Sequence, residues 1–150
     1  MSRTLAEVEA YLHQHIPIAA AMGVRVKACG PEEVTLTAPL AANVNHRATV
    51  FGGSASAVAI LSAWTWLHFT LRDDGLSCRV VIQRNDMEYL LPIDGDFSAT
   101  CEGLSVANLG KLRQTLRRYG KARVKLRARL RLNGETVARF SGDYVAVLLD

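Results

Sequence analysis

NVNHRATVFGGSASAVAILSAWTWLHFTL, residues 43–71, opens on amides and an imidazole, turns through Phe51-Gly52-Gly53-Ser54, and runs on as an apolar segment. The 24 residues between Arg47 and Arg72 carry no formal charge. From about Phe51 to Leu71, Ala55, Val58, Ile60, Leu61, Trp64 and Leu67 put apolar side chains on nearly every side of a predicted helix. Such a helix belongs in an interior rather than on a surface. The run is long enough to cross a bilayer, but Gly52, Gly53, Ser54, Ser56, Ser62, Thr65, His68 and Thr70 interrupt it, so no membrane span or membrane partner is expected.

Before this segment, Thr4 to Gln14 reads as an amphipathic helix, with Ser2 or Thr4 as cap and Leu5, Val8 and Leu12 on one face. Val24–Lys27 and Val34–Thr37 alternate around Gly30-Pro31, which predicts a hairpin ended by Pro39. After the helix, Asp73-Asp74-Gly75 is a stop, and Cys78 to Tyr89 reads as a strand rich in Val and Ile. Pro92 to Asp96 is a turn, Phe97 to Cys101 a strand, and Ser105 to Tyr119 a helix ended by Gly120. From Arg123, basic and apolar residues alternate up to Asn133-Gly134, a strong hairpin signal, and a last strand runs from Thr136 to Leu149. The order predicts an α+β class, a curved antiparallel sheet wrapped around a long central helix in one domain spanning 1–150.

The chain of 150 residues, 49% hydrophobic, suffices for one core. Cys29, Cys78 and Cys101 are odd in number and form no CxxC pattern, so neither disulfide framework nor metal site is expected. The apolar patch at Ile16 to Val24 lacks the basic lead and length of a signal peptide, so a reducing cytoplasm is the expected location. From Gly103 to Gly134 there are ten Lys or Arg and no acidic residue, which points to an anionic partner.

The Asn43-x-Asn45-His46 loop, Phe51-Gly52-Gly53-Ser54, Asn85-Asp86-Met87-Glu88-Tyr89-Leu90-Leu91-Pro92 with Gly95-Asp96, and Gly120-Lys121-Ala122 follow one another in an order that resembles the hotdog superfamily of acyl-thioester enzymes. Within it the chain resembles the YiiD C-terminal, putative-thioesterase family, from about Ile16 to Leu149. The resemblance implies a homodimer with sheets joined edge to edge, active sites at the subunit interface, no cofactor, and substrates carried as thioesters on acyl carrier protein or coenzyme A. It also brings in malonyl-acyl carrier protein decarboxylases, with a place in the initiation of fatty acid synthesis, beside thioesterases. Fold alone does not decide between them.

Many hotdog thioesterases hold an Asp or Glu on the central helix or just before it, for activating water or attacking the acyl carbon. Here neither place has one. A malonyl thioester brings its own carboxylate, and losing carbon dioxide from it needs no base. An acidic side chain about 4 Å from that carboxylate would oppose it by roughly 4 kcal/mol at an effective dielectric of about 20. The decarboxylase expectation therefore assigns Asn45 to orienting the malonyl carboxylate or thioester carbonyl and the Gly53 N–H to the enolate oxygen. Gly52 would admit the carbonyl to the helix terminus, with Thr49 and Ser54 as secondary donors, His46 as proton donor or carboxylate partner, and Asn43 as a substrate contact. Against these stand ordinary roles: a tight turn for the glycines, a loop histidine for His46 and a structural turn amide for Asn43.

Arg117, Arg118, Lys121 and Arg123 are the expected carrier contacts, while Lys125, Arg127, Arg129 and Arg131 read as a solvated strand face. Thioester hydrolysis is the alternative, with Asp86, Glu88 or Glu102 as the recruited acid. Ser54 lacks a G-x-S-x-G elbow and an evident Asp-His pair, so a serine nucleophile is not favoured. A non-catalytic module binding nucleic acid or an acidic protein is the second alternative, disfavoured because no RNA-binding motif accompanies the basic region. Trp64 and Trp66 shape either an acyl tunnel or, as aromatics on a buried helix more often do, the core.

Overall fold

A computed structural model describes residues 3–150. Ser2, one of the two cap candidates, lies outside the described residues; Thr4 caps α1 (Leu5–His15), its hydroxyl accepting the Glu7 N–H at 3.1 Å. A short α2 (Pro17–Ala21) follows, started by Pro17, which needs no N–H at a helix start. The hairpin β1 (Arg25–Cys29) and β2 (Val34–Ala38) precedes α3 (Gly52–Asp73), the segment quoted above. Then come β3 (Cys78–Tyr89), β4 (Phe97–Cys101), α4 (Val106–Tyr119), β5 (Lys121–Leu132) and β6 (Glu135–Leu148). Asn133, with positive φ, and Gly134 make the turn between β5 and β6.

All strands join one antiparallel sheet in the order β1-β2-β4-β5-β6-β3. The sheet curls around α3, which packs against β2, β3, β4, β5 and β6. Leu36, Val58, Leu67, Leu126, Leu130 and Tyr144 are fully buried between them. The Tyr144 hydroxyl donates to the Ile60 carbonyl at 2.7 Å, so the one polar atom of that ring is satisfied in the core. Trp66 is buried and donates from its indole to Pro31 O, which makes it core; Trp64 is only partly buried and donates to Val80 O. No described helix is long and apolar enough to cross a membrane.

Two features of the sheet position the site. β4 pairs with β5 only from Ala128 to Arg131, and α4 packs along β5 where that partner is missing. β3 pairs with β6 on one side alone, so its other edge is free along its 12 residues. A bulge between Ile82 and Arg84 resets the alternation of β3. Val80, Ile82, Asn85, Met87 and Tyr89, opposite inward residues of β6 such as Tyr144 and Phe140, fall on the helix side; Arg84, Asp86 and Glu88 fall on the outer side.

Candidate active site at the start of the central helix

Asn45 organises the loop before α3. Its side-chain oxygen accepts the Arg47 and Thr49 N–H groups at 2.8 and 3.1 Å, and its side-chain nitrogen donates to Thr49 Oγ1 at 2.9 Å. The backbone repeats the link, Asn45 N–H donating to Thr49 O at 2.8 Å. Two backbone donors on one oxygen fix the amide orientation, so one N–H of the amide remains free. The closure carries Ala48 at φ 60°, a left-handed conformation that costs an L-residue roughly 1 to 2 kcal/mol.

Asn43 is buried, 3% exposed, and its amide nitrogen donates to Met22 O and Pro39 O, both at 2.8 Å. It anchors the loop to the β2 end, and its Oδ1 is buried with no hydrogen-bond partner among the described residues. His46 is exposed, its Nε2 3.4 Å from Arg47 Nε.

The helix start has no side-chain cap and no acidic residue in its first turn. Ser54 and Ala55 N–H both go to Phe51 O, at 2.9 and 3.1 Å, and Phe51 N–H goes to Asn43 O at 2.7 Å. Gly52 and Gly53 are left as N–H groups with no acceptor among the described residues. Such a pair is the donor set that an oxyanion takes at a helix N-terminus. Gly53 is glycine for a second reason: a Cβ there would stand 2.5 Å from Phe51 Cε2, because the Phe51 ring lies across it. Tyr89, at the end of β3, donates to Gly52 O at 2.7 Å and pins the strand to the helix. Neither aromatic contact has a signal in the local sequence.

The carboxylates considered for hydrolysis sit elsewhere. Asp86 and Glu88 are on the outer side of β3, and Glu88 pairs with Arg139 at 3.1 Å. Glu102 pairs with Arg129 at 2.8 Å. Asp94, which the sequence reading passed over, follows Ile93, whose carbonyl accepts the Val50 N–H at 2.8 Å; it is exposed and joins no ion pair among the described residues. Among the described residues no three His, Cys, Asp or Glu side chains converge.

Arg117, Arg118, Lys121 and Arg123 are exposed and unpaired by carboxylates among the described residues. They do not join the loop. Lys121 lies opposite Val147 of β6, whereas Tyr89, which touches Gly52, lies opposite Ala138. Those two positions are nine steps apart along β6, a path of about 30 Å along the strand.

Residues 5–148 match the family model described as "Putative thioesterase (yiiD_Cterm)". Among solved structures, the chain superposes with TM-score 0.83 on a putative thioesterase from Shewanella oneidensis, 27% identical, with 95% of this chain and 96% of that one covered. A protein of unknown function from Chlorobaculum tepidum gives TM-score 0.89 at 25% identity, covering 96% and 94%. A protein from Pseudomonas aeruginosa described as a "Probable Thioesterase" gives 0.86 at 21% identity, covering 99% of both. The fold is a hotdog, an antiparallel sheet curled around a central helix, shared with the Shewanella oneidensis structure.

Proposed function

Because the chain belongs to the yiiD_Cterm family of putative thioesterases, we propose that it acts on acyl thioesters of a carrier protein or coenzyme A, and that its reaction is decarboxylation of the malonyl thioester to the acetyl thioester. The observation that carries this reading is the pairing of two free N–H groups, Gly52 and Gly53, with a loop that holds the Asn45 amide and the Thr49 hydroxyl and no carboxylate, its one formal charge, Arg47, being positive.

In the proposed step the bond between the malonyl carboxylate and the α-carbon breaks. Carbon dioxide leaves, and the electron pair passes into the thioester to give an enolate. The Gly52 and Gly53 N–H groups receive the enolate oxygen; one such donor is worth on the order of 10² to 10³ in rate in acyl-transfer enzymes. Asn45 offers its remaining N–H to the substrate carboxylate or carbonyl, and Thr49, whose oxygen already accepts from Asn45, keeps its hydroxyl hydrogen to give. Ser54 is a further donor in the first turn. His46, exposed in the loop, would give the α-carbon the proton that replaces the lost carbon dioxide and regain one from solvent, and two copies joined along the free β3 edge would enclose the site. The outward turn of Asp86 and Glu88 supports the reading, since a carboxylate beside the malonyl group would oppose it.

Hydrolysis is the second reading, and the exposed Asp94 beside the Val50 contact is what favours it. Mass spectrometry of malonyl-carrier protein incubated with the chain separates the two. Acetyl-carrier protein is the expected product, abolished in Asn45→Ala. Free malonate without acetyl-carrier protein would sink the decarboxylase reading.

A further inference from the structure

The face of the sheet turned away from α3 holds a cationic cleft. Lys125, Arg127 and Arg129 are exposed and alternate along β5 with the buried Leu126, Ala128 and Leu130, so they share the outer face. Each is about 7 Å from the next at the rise of a strand. In the register of the sheet Arg129 stands directly opposite Arg139 of β6. Like charges placed opposite one another on neighbouring strands weaken a sheet. Carboxylates meet the two arginines from either side, Glu102 on Arg129 at 2.8 Å and Glu88 on Arg139 at 3.1 Å, but these four side chains are 48% to 66% exposed, where such pairs contribute little. Lys125 meets Asp143 at 3.6 Å, and Arg127, opposite Ser141, has no carboxylate partner among the described residues.

These four cations line one cleft of about 430 Å³, in which Glu102 is the single carboxylate. Ser105 and Asn108 line it too, from the start of α4, whose first turn has no acidic residue. The cleft opens where β4 stops pairing with β5 at Cys101 and Ala128. Gly103 fixes that departure: its φ is 71°, and a Cβ there would collide with the Trp66 indole. A space of this size suits a small molecule rather than a protein segment. Four cations to one carboxylate select a ligand with several negative charges. Two guanidiniums side by side offer paired N–H groups to a phosphate, and Arg127 and Lys125 continue the row.

We propose that this cleft binds a chain of phosphates, with the diphosphate of a nucleotide and inorganic pyrophosphate as its two sources. Arg129 and Arg139 bracket one phosphate, and Arg127, with Lys125 beyond it, takes the next. The bound anion turns the repulsion between the opposed arginines into a shared attraction. The Gly52 and Gly53 N–H groups start the helix on the other side of the sheet, so this site is separate from the proposed reaction and does not depend on it.

Isothermal titration of the wild-type chain with ADP, pyrophosphate and adenosine at low salt tests the assignment. ADP and pyrophosphate are expected to bind and adenosine to give no heat. The Arg127→Gln, Arg139→Gln double variant is expected to weaken both ligands at least about tenfold with a melting temperature near wild type. Arg127→Gln alone, which breaks no ion pair, is expected to weaken them about threefold or more, so the result does not hang on one variant. Arg79→Gln, on the same face outside the cleft, and Asn45→Ala are expected to bind as wild type does. Equal affinity for ADP and pyrophosphate assigns the phosphate chain alone; tighter binding of ADP assigns the nucleotide. No heat from either ligand overturns the proposal. So does a loss in Arg79→Gln equal to that of the double variant, which would reduce the cleft to diffuse surface charge, and so does adenosine binding as tightly as ADP.

Discussion

The Tyr89 hydroxyl stands 2.7 Å from the carbonyl of Gly52, so the last residue of an edge strand is tied to the first residue of the central helix. This bond keeps the two free N–H groups in place relative to the sheet. Tyr89→Phe removes it without changing the ring. The expected cost is about 0.5 to 1 kcal/mol in urea denaturation, the low end for a hydrogen bond because Tyr89 is half exposed. A larger fall in decarboxylation than in stability would identify the bond as positional; equal stability and unchanged rate would show that it does neither.

Asn45→Asp and Asn45→Ala separate the two jobs of that side chain. Aspartate still accepts the Arg47 and Thr49 N–H groups but has no N–H to give and brings a charge. Melting temperature is expected near wild type for Asn45→Asp and lower for Asn45→Ala, whose two backbone donors are left unmatched. Decarboxylation is expected to fall by on the order of 10² or more in both. An Asn45→Asp chain with wild-type turnover would remove Asn45 from the chemistry.

Gly53→Ala puts a Cβ 2.5 Å from Phe51 Cε2, so the ring must move. The ring is exposed and can swing aside, and alanine gains up to about 1 kcal/mol over glycine in a helix, so the single change is expected to be near neutral. In a Phe51→Ala background, with the clash gone, the same change should stabilise, a coupling of about 0.5 to 1 kcal/mol in a double-mutant cycle. Additive effects would mean that the ring does not dictate the glycine.

Carboxylate replacements test the hydrolysis reading. Asp86→Asn and Glu88→Gln act on the outer side of β3 and are expected to change malonyl turnover less than threefold. Asp94→Asn is expected to do the same. Loss of thioester turnover in Asp94→Asn would move the assignment to a hydrolase.

His68 gives the stability a pH dependence. Burial, then Arg72, Arg3 and His15, push its imidazole down to about 4 from an ordinary 6.5. It stacks on Trp64 and packs against Tyr11 and Phe69, and its Nε2 has no partner among the described residues. The folded pKa lies below the unfolded one, so between about 4 and 6.5 the unfolded chain binds more protons. Stability is therefore expected to fall as pH drops from 6.5 toward 4 and to be insensitive to this group above that window. His68→Phe should flatten the difference between pH 5 and pH 7 denaturation curves relative to wild type; identical slopes would show that His68 is not the source.

Much of the fold was legible because local chemistry and tertiary structure agree. Cys78–Tyr89 and Phe97–Cys101 end where turn residues begin, and Thr4, Gly120 and Asn133-Gly134 carry their caps and turn in their own side chains and φ angles. α2 escaped notice because five residues show no helical period. The facing of Asp86 and Glu88 was hidden by the bulge after Ile82, which shifts the alternation by one. For the site, the Asn45 and Gly-Gly elements were readable as types, whereas Phe51 over Gly53 and Tyr89 on Gly52 are contacts between segments with no local trace. The distance between loop and basic residues was likewise invisible, because strand register sets it.

The Phe51 ring, 58% exposed, lies over Gly53, while the hydrogen bonds of this residue, to Asn43 O and from the Ser54 and Ala55 N–H groups, are all made by its backbone. Ring and turn are therefore separable: the side chain at this position can change in size without unmaking the bonds that start the helix and leave the Gly52 and Gly53 N–H groups free.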